Sequence, residues 1–270
     1  MRAKELGVSD GQLVLDFCRR RPLVSVFMAS RVEAGMLRPG APGKIYGYPA
    51  KHSNAFLHVG TNLTPLAENE ECVDAFVEVA KNRVSQSIVG ESWITLAYWR
   101  ALCDAYGREY AYVREVRPSQ PLLALSGDPQ VPPSPAVKAL DFSCYPEYLD
   151  TSIRMYTEEV GQQPPDTYPS YCRWTLNTGR AYGVVKDKQV LFKTDVGAAA
   201  QGVAQIQGVW LNPRYRGNGL AAGLISAVVT EVRKTHPTVT LYVNSFNTRA
   251  LRAYKAVGFS QVGEFATILY

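Results

Sequence analysis

The chain has 270 residues, 46% of them hydrophobic, and a formal net charge of +5. That length exceeds a typical single domain and points to two. Its apolar runs are too short to span a bilayer and its N-terminus lacks the apolar core of a signal peptide, so a cytoplasmic protein with no membrane partner is expected. The charge is mild, and Arg19, Arg20 and Arg21 read as a solvated helix end, which argues against a nucleic-acid partner. Cys18, Cys72, Cys103, Cys144 and Cys172 are odd in number and lack CxxC spacing, as buried reduced thiols would. His52, His58 and His236 show no ligand spacing either, so no metal is expected.

In chain order, the first half reads as a helix near Asp10 to Arg20 and strands around Leu23 to Ser30, Lys44 to Tyr48 and Ala55 to Val59. Helices follow from Asn69 to Val84 and from Ser92 to Tyr106. His58, on an apolar strand, reads as structural. The proline-rich stretch Gly127 to Pro135 reads as a linker, giving domains at 1–126 and 139–270 joined by 127–138. The second half reads as helices Pro146 to Val160 and 167–178, then a hairpin of Arg180 to Lys186 and Gln189 to Val196 around Asp187 and Lys188. Strand Val203 to Leu211, an amphipathic helix, strand Val239 to Val243, a short helix and strand Gly263 to Tyr270 complete it.

The segment Arg216 to Ala221 (RGNGLA) lies between the strand ending at Leu211 and the helix whose apolar face carries Leu224, Val228 and Val232. At such a junction the first N–H groups of the helix lack internal partners and the helix dipole favours an anion. Gly217 and Gly219 permit close approach of phosphates, while Arg214 and Arg216 supply charge. The Walker pattern fails, because Leu220 and Ala221 stand where Lys and Ser/Thr are needed. A dinucleotide fingerprint fits poorly, because the preceding strand does not open a βαβ unit.

A second motif, Asn247 to Phe259 (NTRALRAYKAVGF), reads as a helix capped by Asn247 and closed by Gly258 and Phe259. Together the two motifs resemble the GNAT superfamily of N-acetyltransferases. Arg216-x-x-Gly219-x-Ala221 matches the family's phosphate motif, and Asn247, Ala250, Tyr254, Gly258 and Phe259 match its later helix. The resemblance covers roughly the last half of the chain and implies an α/β fold, a mixed, mainly antiparallel sheet flanked by helices. It implies acetyl-CoA as donor, with N–H groups from Arg216, Gly217, Asn218, Gly219, Leu220 and Ala221 on the pyrophosphate and Arg214 beside them. The main chain of Val209, Trp210 and Leu211 would meet the pantetheine and polarise the thioester, and Asn244 and Asn247 would lie along the cofactor arm. Tyr254 would protonate the departing thiolate. For a general base the sequence offers Glu158, Glu159 and Asp195, with Glu159 and Asp195 ranked first. Tyr168, Tyr171 and Trp174 read as a core-facing stripe, or as a lining of the acceptor cleft.

The first half echoes a second GNAT-like module, so tandem modules are expected. Val59 to Pro65 (VGTNLTP), at the place for its phosphate loop, lacks the arginine and the paired glycines and reads as degenerate. Over its whole length the chain resembles bacterial, mainly actinobacterial, GNAT proteins with an uncharacterised N-terminal domain, on segment Arg117 to Leu123 (RPSQPLL). The implied activity is transfer of acetyl from acetyl-CoA to a primary amine, a small molecule or a peptide N-terminus, in a ternary complex. An acetyl-CoA sensor or scaffold and an aminoacyl-tRNA-dependent transferase stand as alternatives, and a monomer or a homodimer is left open.

Overall fold

The structure, a computed structural model, describes residues 2–81 and 85–270. It contains β1 (Lys4–Glu5), α1 (Gly11–Arg20), α2 (Pro22–Glu33), β2 (Lys44–Tyr48), β3 (Ala55–Val59), β4 (Asn62–Leu66), α3 (Val73–Ala80), β5 (Ser87–Glu91), α4 (Ser92–Tyr106), α5 (Arg108–Ala111) and β6 (Glu115–Leu125). Then follow β7 (Lys138–Ala139), α6 (Tyr145–Val160), α7 (Tyr168–Asn177), β8 (Ala181–Lys186), β9 (Gln189–Ala200), β10 (Val203–Leu211), α8 (Leu220–Arg233), β11 (Thr238–Tyr242), α9 (Thr248–Val257) and β12 (Ser260–Leu269). Apart from the one-turn α5 of the first run, the same order occurs twice: a short strand, two helices, three strands, a helix, a strand, a helix, a strand. Among the described residues no helix is long and apolar enough to cross a membrane.

The chain divides into two compact units, one of residues 1–123, 242–247 and 261–270, the other of residues 124–241 and 248–260. In the first, the strand order is β1-β2-β3-β4-β5-β12-β6. Strands β1 to β4 pair antiparallel and β4 with β5 parallel, while β12 lies antiparallel to β5 with Phe265 opposite Glu91 and Leu269 opposite Ser87. The closing strand of the second run of elements thus completes the sheet of the first unit. Ile88, Phe76, Tyr98 and Ile268 share its core, and the buried Tyr98 and Tyr110 hydroxyls donate to the carbonyls of Phe76 and Ala80 at 3.1 and 2.8 Å.

Three expectations for this unit are corrected. Leu23 to Ser30, read as a strand, is the body of α2. Pro22 sets its first turn, and an apolar run without alternation suits a helix buried on most sides as well as a strand. Val59 to Pro65 is no strand-to-helix loop but the β3–β4 hairpin and most of β4, with Val59 opposite Leu63. The strand-to-helix junction of this unit lies instead at residues 67–72, which carry Glu68, Glu70 and Glu71. The helix expected over Asn69 to Val84 is shorter, Val73–Ala80 after a 3-10 turn at Glu70–Cys72, and its end falls partly on residues 82–84, outside the described residues. Inside the core, burial and then Arg31 push the His58 imidazole down to about 4, so it is neutral against the Phe27 ring, 5.2 Å away edge-on.

In the second unit the strand order is β11-β10-β9-β8-β7, antiparallel except for β10 with β11. The β8–β9 hairpin turns at Asp187 and Lys188, whose φ of 51° and 57° are those of the turn that matches strand twist. Helix α8 buries Leu224, Ile225, Val228, Val229 and Val232, as its periodicity requires. Helix α9 ends in a Schellman arrangement, Phe259 N–H to the Tyr254 carbonyl at 3.1 Å and Gly258 N–H to the Lys255 carbonyl at 3.0 Å, with Gly258 at φ 110°. The proline-rich stretch after β6 is docked along α8: the Val131 carbonyl accepts from Ser226 Oγ at 2.5 Å, Ser134 N–H bonds the Gly223 carbonyl, and Asp128 pairs with Arg233.

Candidate active site

The cradle follows from local chemistry. Strand β10 stops at Asn212-Pro213, where the Asn212 side chain accepts from the Arg214 N–H at 3.1 Å. Gly219 is the N-cap of α8 at φ 72°, a left-handed conformation that only glycine adopts without strain. Residues 213–220 are exposed, and a Cβ built on Gly217 or Gly219 would meet nothing within 4 Å. The Arg216 N–H, expected on the pyrophosphate, is bonded instead to the Pro213 carbonyl at 3.2 Å, so the N–H groups that face an incoming group start at Gly217 and run into the first turn of α8. Arg216, by contrast, is engaged: Nη2 donates to Glu158 Oε2 at 2.8 Å, Nε to the Leu211 carbonyl at 2.8 Å, and the guanidinium lies 5.8 Å from the Trp210 ring centre.

Beside the cradle the sheet opens. Strand β10 pairs with β11 over Val203–Gln205 only, leaving the Ile206–Leu211 edge without a β11 partner in the register. On its other side β10 carries a bulge: Gln207 stands opposite Asp195 and Trp210 opposite Lys193, so Gly208 and Val209 together face Thr194. Gly208 has φ 59°, and the Gln207 carbonyl is held by Thr194 Oγ1 at 2.9 Å.

Under the bulge lies a buried polar group. Asp195 accepts from Tyr148 OH at 2.5 Å through Oδ1 and from Lys193 Nζ at 2.9 Å through Oδ2, and Lys193 also donates to Ser152 Oγ at 3.1 Å. All four residues are buried, Lys193 completely, with its ammonium 4.7 Å from the Tyr148 ring centre. Burial and then the Asp195 charge push the Tyr148 phenol far above its ordinary range, so it remains a donor.

Tyr254 is buried on α9, its ring edge-on to Phe259 at 5.8 Å. Its phenol is raised first by burial and then by the charge of Glu159, an exposed residue near the end of α6.

The sequence of this region matches the family model described as the Acetyltransferase (GNAT) family over residues 137–259. These residues form a GNAT acetyltransferase domain. Residues 43–147 match a model described as a domain of unknown function, DUF4081. No curated protein matches the chain. Among solved structures, a GNAT-family acetyltransferase from Colwellia psychrerythraea covers 100% of both chains at 12% identity and a TM-score of 0.60. A Drosophila protein covers 99% of this chain and 98% of its own at 12% identity and a TM-score of 0.69. A tandem GNAT protein from the clavulanic acid biosynthesis pathway covers 98% of this chain and 97% of its own at 14% identity and a TM-score of 0.55. At such identities the likeness is one of fold, and the fold is α/β with tandem GNAT-like modules.

Within the GNAT acetyltransferase domain the expected residues fall as follows. Val209, Trp210, Leu211, Arg214 and Arg216 to Ala221 form one continuous stretch from bulge to cradle, and the charge of Glu159 acts on the buried Tyr254 phenol. Glu158 serves the cradle arginine. Asp195 has both oxygens committed. Asn244 and Asn247 belong to the first unit, where Gln120 Nε2 donates to Asn244 Oδ1 at 2.8 Å. Tyr168 and Tyr171 pack against Tyr148 and Cys172 as a core stripe, while Trp174 is exposed under the Arg180 guanidinium. Tyr148, Lys193, Thr194 and Gly208 belong to neither sequence motif. A lone glycine inside the strand pattern VAQIQGVWL was the available signal for the bulge.

Proposed function

We propose that the chain transfers the acetyl group of acetyl-CoA to a primary amine by direct attack in a ternary complex, with a catalytic module at 139–270 and a degenerate one at 1–126. One observation carries this reading: an exposed, glycine-capped helix start lies directly beyond a bulged strand whose Ile206–Leu211 edge has no β11 partner among the described residues. The donor set fits the donor substrate. N–H groups of residues 217–221 suit a pyrophosphate, with the Arg214 side chain and a released Arg216 side chain adding charge. The free Ile206–Leu211 edge suits the peptide-like amides of pantetheine, and Val209, in the bulge, turns main-chain polar groups out of the ladder toward a thioester carbonyl.

The amine nitrogen attacks the thioester carbon, the C–S bond breaks with its electron pair going to sulfur, and Tyr254 gives its proton to the thiolate. Glu159, directly or through water, takes the proton that the attacking nitrogen sheds, and passage of that proton to Tyr254 closes the cycle. Glu159 suits the base role better than Asp195, because it is exposed and Asp195 is buried with both oxygens engaged. The products are an amide and CoA thiol.

Free-thiol release from acetyl-CoA, read over amino acids, small amines and peptide N-termini, tests the reading. Release with at least one acceptor, strongly reduced in Tyr254→Phe, supports it. Tight binding of acetyl-CoA with no release for any acceptor would replace it with a sensor.

A further inference from the structure

We infer that the buried Tyr148–Asp195–Lys193 group positions the bulge that polarises the thioester, an inference that rests on the reading above. Lys193 and Asp195 are two apart on β9 and so share a face, and their partners across the ladder, Trp210 and Gln207, are the two residues that bracket the bulge. The ion pair therefore spans the single residue, Thr194, that faces Gly208 and Val209. Contact with the bulge is direct: a Cβ built on Gly208 would stand 3.3 Å from Asp195 Oδ2 and 3.2 Å from Met155 Sδ. Thr194 Oγ1 holds the Gln207 carbonyl from the strand opposite, and Tyr148 ties the carboxylate to α6, so the bulge is fixed from two sides.

Stability gives no reason for this arrangement. Two buried charges lose their hydration, and apolar residues of similar size commonly serve a fold as well or better. A fixed geometry for main-chain donors is a different requirement. Donors set in advance to the position of the developing oxyanion need no reorganisation during reaction, and a displacement of well under 1 Å weakens them. Asp195 and Lys193 are thus positioning residues, acting through Gly208 and Val209.

The test is isotope-edited infrared spectroscopy of acetyl-CoA carrying 13C at the thioester carbonyl, bound to the full chain, with calorimetry beside it. Wild type should bind and shift the carbonyl band to lower frequency. The triple variant Tyr148→Phe, Lys193→Met, Asp195→Leu removes the charges while filling the space. It should bind acetyl-CoA within about threefold of wild type and lose most of the band shift. A folded triple variant that keeps the full shift, or that no longer binds, overturns the inference. If the triple variant does not fold, Tyr148→Phe alone decides: a diminished shift supports the inference and an unchanged one overturns it. Wild type that fails to bind acetyl-CoA sinks the proposed function itself, whereas wild type that binds without any band shift sinks only this inference.

Discussion

Arg216 Nη2 and Glu158 Oε2 stand 2.8 Å apart, so the arginine of the phosphate cradle is held by a carboxylate of α6. A pyrophosphate in the cradle competes with Glu158 for that guanidinium. The pair is exposed, 38% and 46%, which limits its worth to about 1 kcal/mol or less. Glu158→Ala should therefore tighten acetyl-CoA binding by up to about fivefold, read by calorimetry. Weaker binding would mean that Glu158 supports the cradle rather than opposing its ligand.

Tyr254→Phe keeps the ring and removes only the proton donor. Thiol release should fall by about 10² to 10⁴ while acetyl-CoA affinity stays within about twofold. Burial and then Glu159 hold the phenol above its ordinary value, so Tyr254 stays protonated and sets no alkaline limb in the rate profile below about pH 10. An unchanged rate in the variant would remove the acid role.

Gly208→Ala places a methyl group on a residue at φ 59°, against Met155 Sδ and Asp195 Oδ2. Both strain and crowding act in the same direction, for a loss of about 1–3 kcal/mol in chemical denaturation. Thiol release should fall further than that loss of stability accounts for, because the bulge itself must move.

In the first unit, Arg21 Nη2 bonds both oxygens of Glu91 at 2.8 Å and Nη1 reaches the Ala67 carbonyl, so its guanidinium ties the end of β5 to the chain just beyond β4. Arg21→Ala should cost about 2–3 kcal/mol by leaving a largely buried carboxylate without its cation. Burial already raises the Glu91 pKa above 4.5 in the folded chain against the opposing pull of Arg21, and the variant raises it further. A raised folded pKa means that the carboxylate opposes folding above the unfolded value and ceases to do so as pH falls through the folded one. The deficit of the variant should be greatest at neutral pH, shrink as pH falls through the raised folded values above 4.5, and vanish below the unfolded one. A deficit independent of pH would assign the loss to packing.

What the sequence disclosed depended on whether the signal was local. The limits of β10, α8 and α9 are set by glycines, a proline and an apolar period within a dozen residues, and these were readable. The body of α2 was not, because an unbroken apolar run carries no period. Strand β6 was missed because Pro118 and Pro121 argue against a ladder. The tie between Tyr148 and Asp195 joins residues 47 apart. No pattern in one sequence shows that Asp195 is saturated by neighbours, so in sequence alone it is as good a base as Glu159.

Calorimetric titration of the full chain with acetyl-CoA, beside Gly219→Val, tests the central claim most directly. The account predicts one acetyl-CoA bound per chain with micromolar affinity, and loss of that binding in a variant that still folds. Absence of binding in wild type, two molecules per chain, or undiminished affinity in Gly219→Val would contradict it.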